Sequence, residues 1–525
     1  MQGVRRSNSF LGHLGRPVGF RAVQVAGAWA SWKEASKNED LFGFISRGFL
    51  YVGMFFLPLL RFKVTHGLNV SDAIFLLGFI FLILARKPPP RAPRTPAWYV
   101  GAFMFLLAGM LASMQADAVP QSVVVVFNAV YVFFILQYLL RQQLGTTLHL
   151  QRAIGFFIAG VSLSAFVAIL QVTLHVFLPK AGSIAAGSGT IGGNARAVGL
   201  SNQPNLAGIC FALGIILGVG LLLQIGWRRH WYLSCCVLVI VAALLLAASV
   251  SGMGAVIVGL LVLFIARGVP LKTVVSVVLA LAAVYLLVFG VIDRGSKLDP
   301  ITRIEKTTNS NAGSGGGTLQ LRIDTIDKAW SEILQKPITG HGLDQQTLAV
   351  YFDKSLYVYY PPHNLIALYW YGGGIFMLVG LIIMVGSAFN RLLHGRIRAG
   401  KNWDPMRDVV LAACVADLFF AMQGPELVDR WFWIPFLLAL TFRDYAPPPA
   451  PARDAIALPV ELPEAPASVT NGQPRRVRGT VGRHAAVDPA PLETDAPAAS
   501  AAPDPSALDA AADRGRHAAP SQGSP

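Results

Sequence analysis

Apolar and polar residues alternate along the chain in long blocks rather than at the period of two that marks a strand. From about Gly43 onward, twelve apolar segments of helical length follow one another, at roughly 43–61, 71–85, 98–114, 121–140, 153–178, 204–225, 231–249, 251–267, 271–291, 363–389, 407–422 and 430–443. Runs of this length are read as membrane-spanning helices, because backbone N–H and C=O groups facing lipid must be satisfied within the segment. The alternation expected of a membrane β-barrel is missing. The pattern therefore predicts an all-α, polytopic transmembrane helix bundle of about twelve spans. Only SVSG separates the seventh and eighth segments, so eleven to thirteen spans fit the same pattern.

The polar stretches between segments differ in charge. RKPPPRAPR, RQQLGTTLHLQR, GWRRH, RGVPLK and the Arg391–Arg407 stretch are rich in Lys or Arg, whereas QADAVPQ and QGPELVD have none. The excess of basic residues on alternate connections predicts that those face the cytoplasm. The others then face the outside, which for a bacterial inner-membrane protein is the periplasm. Both termini fall on the cytoplasmic side. Two outward loops stand out by length, about 179–203 and 292–362. In the second, LRIDTIDKAWSEIL carries apolar residues at helical spacing (Leu321, Ile323, Ile326, Ala329, Trp330, Ile333, Leu334), which predicts a short helix lying on an apolar surface and ended by Pro337.

The chain divides into a basic cytoplasmic segment (1–42), the membrane domain (43–443) and an Ala/Pro-rich tail (444–525) that cannot bury a core and reads as disordered cytoplasmic polypeptide. The first forty residues lack a continuous apolar core, so no cleavable signal peptide is expected. Composition agrees with the pattern: 54% of residues are hydrophobic and only 14% charged. The formal net charge of +15 does not signal a nucleic-acid partner, since the basic residues sit in short clusters between apolar segments. Cys210, Cys235, Cys236 and Cys414 lie inside apolar runs, without the spacing of a metal site or disulfide framework, and read as buried small hydrophobes.

Chemistry-bearing residues collect in the two outward loops. Arg196, in NARAVGLSNQPN, has glycines around it and the start of the sixth segment at Pro204-Asn205 after it. Such a group can grip phosphate oxygens, or it can be an arginine reaching the lipid headgroups. Arg322 heads the loop helix, where it can equally pair with Asp324 or Glu332. His363 stands where the chain re-enters an apolar segment; an imidazole is the side chain suited to acid/base work near neutral pH. Asn364 beside it can hydrogen-bond a sugar. Tyr357, Tyr359, Tyr360, Tyr369, Trp370 and Tyr371 offer flat faces for carbohydrate or form an interfacial belt. His341, between Gly340 and Gly342, reads as a turn residue; a metal site from His341 and His363 with Asp344 or Asp353 fits no standard zinc spacing. Asp417 is a carboxyl inside an apolar segment, which makes it functional or a helix-to-helix hydrogen-bonding group.

Four motifs occur in order: R-x-x-G-x-x-x-x-P-N from Arg196 to Asn205, R-x(7)-W from Arg322 to Trp330, P-x-x-G-H-G from Pro337 to Gly342, and H-N at His363 before a glycine-rich helix. As an ordered set over about 190–390, they resemble the O-antigen ligase and Wzy-type polysaccharide polymerase family. The resemblance implies transfer of a glycan from an undecaprenyl-pyrophosphate carrier to an acceptor hydroxyl, without a cofactor or an obligatory metal. It implies Arg196 and Arg322 on the leaving pyrophosphate, His363 on the acceptor hydroxyl, and Asn205, Trp330, Asn364 and Tyr360 against substrate. Implied partners are the lipid-linked oligosaccharide donor and acceptor, membrane lipids, a flippase, and chain-length or export proteins. One departure is visible: Ser251-Gly252-Met253-Gly254 stands where many members resemble S-R-x-A, so an arginine is missing there. Polymerase is the preferred activity, a ligase acting on lipid A-core the alternative, and a lipid-linked oligosaccharide flippase the reading from another class, against which the gathering of polar residues in two loops argues.

Overall fold

A computed structural model describes residues 40–442 except 66–67, 86–94, 117, 178–196, 202, 228–229, 292–317, 345–347, 354–355, 360, 395–402 and 425–427. These lie in the first of two units, Met1–Ala452. The N-terminal segment to residue 39, the tail from 443, Arg196 and Tyr360 are outside the described residues.

Each of the twelve apolar segments coincides with a helix: α1 (Leu41–Phe56), α2 (Val70–Leu84), α3 (Pro96–Ser113), α4 (Val119–Gln143, with a π-helical stretch at Tyr131–Leu136), α5 (Thr147–Phe177), α6 (Pro204–Ile225), α7 (Trp231–Ala247), α8 (Val250–Arg267), α9 (Leu271–Val291), α11 (Leu365–Leu393), α12 (Pro405–Ala421) and α13 (Arg430–Ala439). The loop helix is α10 (Thr318–Gln335). Among the described residues, seven helices are long and apolar enough to cross a membrane: α3, α4, α5, α6, α8, α9 and α11. Three more, α1, α2 and α7, are apolar but shorter. Helices α12 and α13, of 17 and 10 residues, are shorter than those seven and largely buried. All ten residues of α13 are buried, and α12 carries buried Arg407, Asp408 and Asp417.

Two small antiparallel hairpins accompany the helices, β1 (Lys63–Thr65) with β2 (Leu68–Asn69), and β3 (Ala349–Asp353) with β4 (Leu356–Tyr359). The second takes up Tyr357 and Tyr359, two of the six aromatics read as carbohydrate faces or an interfacial belt, while Tyr369, Trp370 and Tyr371 lie in α11. The short β-prone runs AVYF and LYVY either side of Asp353-Lys354-Ser355 carried the hairpin signal.

Helix starts follow local chemistry. Asn69 and Asp72 form a reciprocal capping box at α2, Asp404 accepts from the Met406 N–H at α12, and prolines occupy the first turn of α3, α4, α6 and α12. The centre of the bundle is aromatic. Phe133 lies edge-on to Trp98, Phe105 and Trp433 at centroid distances of 6.1, 5.0 and 4.7 Å, and the Trp98 indole N–H donates to the Phe133 carbonyl. Helices α3 and α11 cross at Gly101 and Gly380, where a Cβ on either would come within 2.6–2.7 Å of the other's carbonyl oxygen, so the two backbones touch. A buried ion pair, Arg430 Nε to Asp72 Oδ1 at 3.0 Å, joins α13 to α2, and Arg430 also donates to Asn128 in α4. Cys210 and Cys414 are buried as expected, while Cys235 is exposed on α7.

Candidate functional site

Helix α10 is amphipathic, and the face that buries Thr325, Ala329 and Ile333 decides where its arginine stands. Ala329 and Ile333 form a small core with Leu348 and with Ala367 and Tyr371 of α11. Arg322 lies one turn before Thr325 on that face and is half-buried. Its guanidinium comes close enough to His363 for its charge to weigh on that imidazole. At the other end of α10, Glu332 meets His341, which meets Tyr371. The order of these contacts means that α10 and the first half of α11 run side by side in the same direction, with Arg322 and His363 at their shared N-terminal end.

His363 directly precedes α11. Pro361-Pro362 lead into it, and Asn364 caps the helix, its side-chain oxygen accepting from the Ile366 and Ala367 N–H groups at 3.0 and 3.1 Å. The Asn364 oxygen is therefore engaged by the backbone. His363 is pushed down to about 4, first by burial and then by the positive charge of Arg322, against a hydrogen bond to the Pro361 carbonyl that favours the protonated ring. Near neutral pH the ring is neutral and free to accept a proton, as a weaker base than an ordinary imidazole until negative charge develops beside it. Burial also draws Arg322 below the ordinary arginine value, yet a guanidinium starts so high that it stays cationic. Neutral imidazole beside fixed positive charge suits a reaction in which a hydroxyl gives up a proton and a leaving anion forms.

Trp330 sits on the outer side of α10, 48% exposed, edge-on to Trp370 at 5.5 Å, and the Trp370 indole N–H donates to the Pro337 carbonyl. Asn205 is the second residue of α6 and half-buried. Arg196 lies outside the described residues, but the strap immediately after it is held firmly. Gly199 exchanges two hydrogen bonds with the Gln171 side chain, the Leu200 N–H donates to Ser164 Oγ, and the Ala197 N–H donates to the Leu246 carbonyl. Gln171 and Ser164, polar residues inside an apolar helix, were the signal for this anchorage.

The missing arginine has a structural counterpart. A Cβ on Gly252 would lie 2.9 Å from the carbonyl group of Gly208, so α8 meets α6 backbone to backbone at the position where the family pattern has its arginine. The neighbouring Ser251 hydroxyl donates to Gln423 at 2.8 Å. A side chain at 252 would have to part α6 from α8. Among the described residues, no group of three or more His, Cys, Asp or Glu is placed to hold a metal ion, and the Nε2 of His341 is engaged by a carbonyl. Asp417 is fully buried, and neither of its oxygens has a hydrogen-bond partner among the described residues, so the helix-to-helix bond, one of its two readings, is not made there.

The helices define a multi-pass, mainly α-helical membrane protein, with Arg322 on a helix outside the apolar segments and His363 at the start of one. Residues 235–382, from within α7 to within α11, match the family model described as O-antigen ligase, so the resemblance to the O-antigen ligase and Wzy-type family is borne out over that stretch. The matched stretch contains Arg322, Trp330, His341, His363 and Asn364, and begins after Arg196 and Asn205. No curated protein matches the chain.

Proposed function

We propose that the chain is a polymerase of bacterial surface polysaccharide, exopolysaccharide or O-antigen. In this reading it lies in the inner membrane with about twelve spans and works on the periplasmic side. It moves a growing glycan from undecaprenyl pyrophosphate to a hydroxyl of a lipid-linked repeat unit. The observation that carries the proposal is the juxtaposition of His363, held neutral by burial, with the cationic Arg322. The bond between the anomeric carbon and the pyrophosphate oxygen breaks, its electron pair leaving with the pyrophosphate. The acceptor oxygen bonds to that carbon, and its proton passes to His363. Arg322 and Arg196 offset the charge that develops on the leaving group. Because a lipid pyrophosphate is already activated, positioning and charge stabilisation suffice, and neither metal nor cofactor is required. Asn205, Trp330, Asn364 and Tyr360 line the substrate path in this account, with the flippase and chain-length or export proteins as neighbours.

A ligase, moving the finished glycan onto lipid A-core, is the second reading, favoured by the match to the O-antigen ligase family model. The test replaces His363, Arg322 and Arg196 by Ala in the native host, with membrane levels checked and lipid-linked intermediates separated by size. A polymerase leaves single lipid-linked repeat units; a ligase leaves full-length lipid-linked polymer and bare core. Normal surface polymer from all three variants removes the proposal.

A further inference from the structure

We propose that His341 is a positioning residue of this site. By tying the C-terminal turn of α10 to the break in α11, it sets where Arg322 stands relative to His363. The inference deepens the proposed function and rests on it.

The break comes first. Helix α11 would be about 44 Å long if straight, well beyond a hydrocarbon layer of about 30 Å, whereas the part from Ile375 to Leu393 rises only about 28 Å. The helix is interrupted at Gly374, with φ 69° and ψ −172°, a conformation open essentially to glycine alone. An interruption removes helical partners from nearby N–H and C=O groups, and the 337–342 turn replaces them. The His341 N–H donates to the Tyr371 carbonyl at 2.8 Å, the Gly342 N–H to the Gly372 carbonyl at 2.9 Å, and the Ile375 N–H to the Pro337 carbonyl at 2.9 Å. The turn is seated so closely that a Cβ on Gly340 would meet the Gly372 carbonyl oxygen at 2.6 Å. The glycines on either side of His341 are thus required by contact.

His341 adds two side-chain contacts to this backbone joint. Its ring stacks on Tyr371, centroids 4.7 Å apart and planes 8° from parallel. Its Nε2 lies 2.9 Å from the Glu332 carbonyl oxygen, in the last turn of α10, a carbonyl that also accepts from the Lys336 N–H at 3.3 Å. A carbonyl only accepts, so Nε2 carries the proton and donates. One residue therefore touches both elements that carry the reacting groups: α10, which bears Arg322, and α11, which His363 immediately precedes. The apolar contacts of Ala329 and Ile333 hold α10 down, and the Pro337 carbonyl, two residues past its end, is tied to the Ile375 N–H and the Trp370 indole N–H. The His341 bond adds a tie inside the last turn of α10 itself, and small displacements of a charge-stabilising group reduce turnover strongly.

The test uses the full-length protein in nanodiscs with lipid-linked repeat units extracted from the native host. Three variants separate the contacts: H341F keeps the stacked ring and loses the donor, H341Q keeps a donor, and H341A loses both. For H341F we expect kcat to fall about tenfold with the donor KM within about twofold. Its acid limb should also move up, because Arg322 no longer presses on His363. H341Q is expected to stay within about twofold of the parent with its acid limb unmoved. Parental kcat and acid limb in H341F overturn the proposal, as does equal loss in H341F and H341Q with no movement of the limb. Should H341A fail to fold, the other two variants still decide. H363A and R322A are run alongside: if they retain parental transfer, the proposed site itself falls, whereas if they are inactive and H341F keeps parental kcat and acid limb, only the positioning role falls.

Discussion

Helices α9 and α11 look alike as sequence, with apolar windows of mean hydropathy 2.4 and 2.1. In the structure they have little in common. None of the α9 window from Leu271 to Val288 is buried, whereas half of the α11 window is, and α11 is broken at Gly374 and tied to the turn beyond α10. Apolarity specifies that both helices belong in lipid. What distinguishes the helix beside the site is the place where its backbone hydrogen bonds are diverted to another segment, since that is where a reactive side chain can be held at a fixed position.

The comparison breaks most readily at the glycines of α11. Gly374→Ala should destabilise the fold by about 3 kcal/mol, since the new Cβ falls on the Ile338 carbonyl and the backbone angle is wrong for alanine. Gly386→Ala, in the same helix with open space around it, should be neutral to stabilising by up to about 1 kcal/mol. Thermal unfolding of both in detergent checks the pair, and equal effects would show that the break does not organise the helix. At least as large, but on activity rather than stability, is the effect of His363→Ala, which should lower transfer by about 10²–10⁴-fold while leaving unfolding little changed, as measured with purified protein. The smallest effect belongs to α9: Leu279→Ala, on a residue 63% exposed, should leave activity intact and stability within about 0.5 kcal/mol.

Much of this contrast can be read from the sequence, and the rest fails for physical reasons. The twelve apolar segments, the loop helix and its end at Pro337 follow from hydrophobic period and helix-stop chemistry, and the structure has a helix at each. His363 was legible as a candidate because an imidazole at the edge of an apolar run is conspicuous, whereas Arg322, at the head of the loop helix, stood out through the ordered motif set rather than by its position. The role of His341 was not, because its partners are carbonyls of Glu332 and Tyr371, and every residue has a carbonyl. Burial and exposure likewise depend on which helices become neighbours, so α9 and α13 could not be told apart by composition. Gly372-Gly373-Gly374 marked a weak place in a helix, but what fills the gap is decided by a turn more than thirty residues earlier.

The measurement that bears most directly on the central claim is the pH dependence of kcat for glycan transfer, in the parent protein and in Arg322→Gln. His363 lies below its ordinary value, so the proton-accepting form persists as pH falls and is lost only near pH 4. The account predicts a flat profile from about pH 8 down to about pH 5, with an acid limb near 4. In Arg322→Gln, removal of the positive charge should raise that limb toward the ordinary histidine value, with residual activity sufficient to trace it. An acid limb already near 6.5 in the parent, unmoved by removal of Arg322, would contradict it.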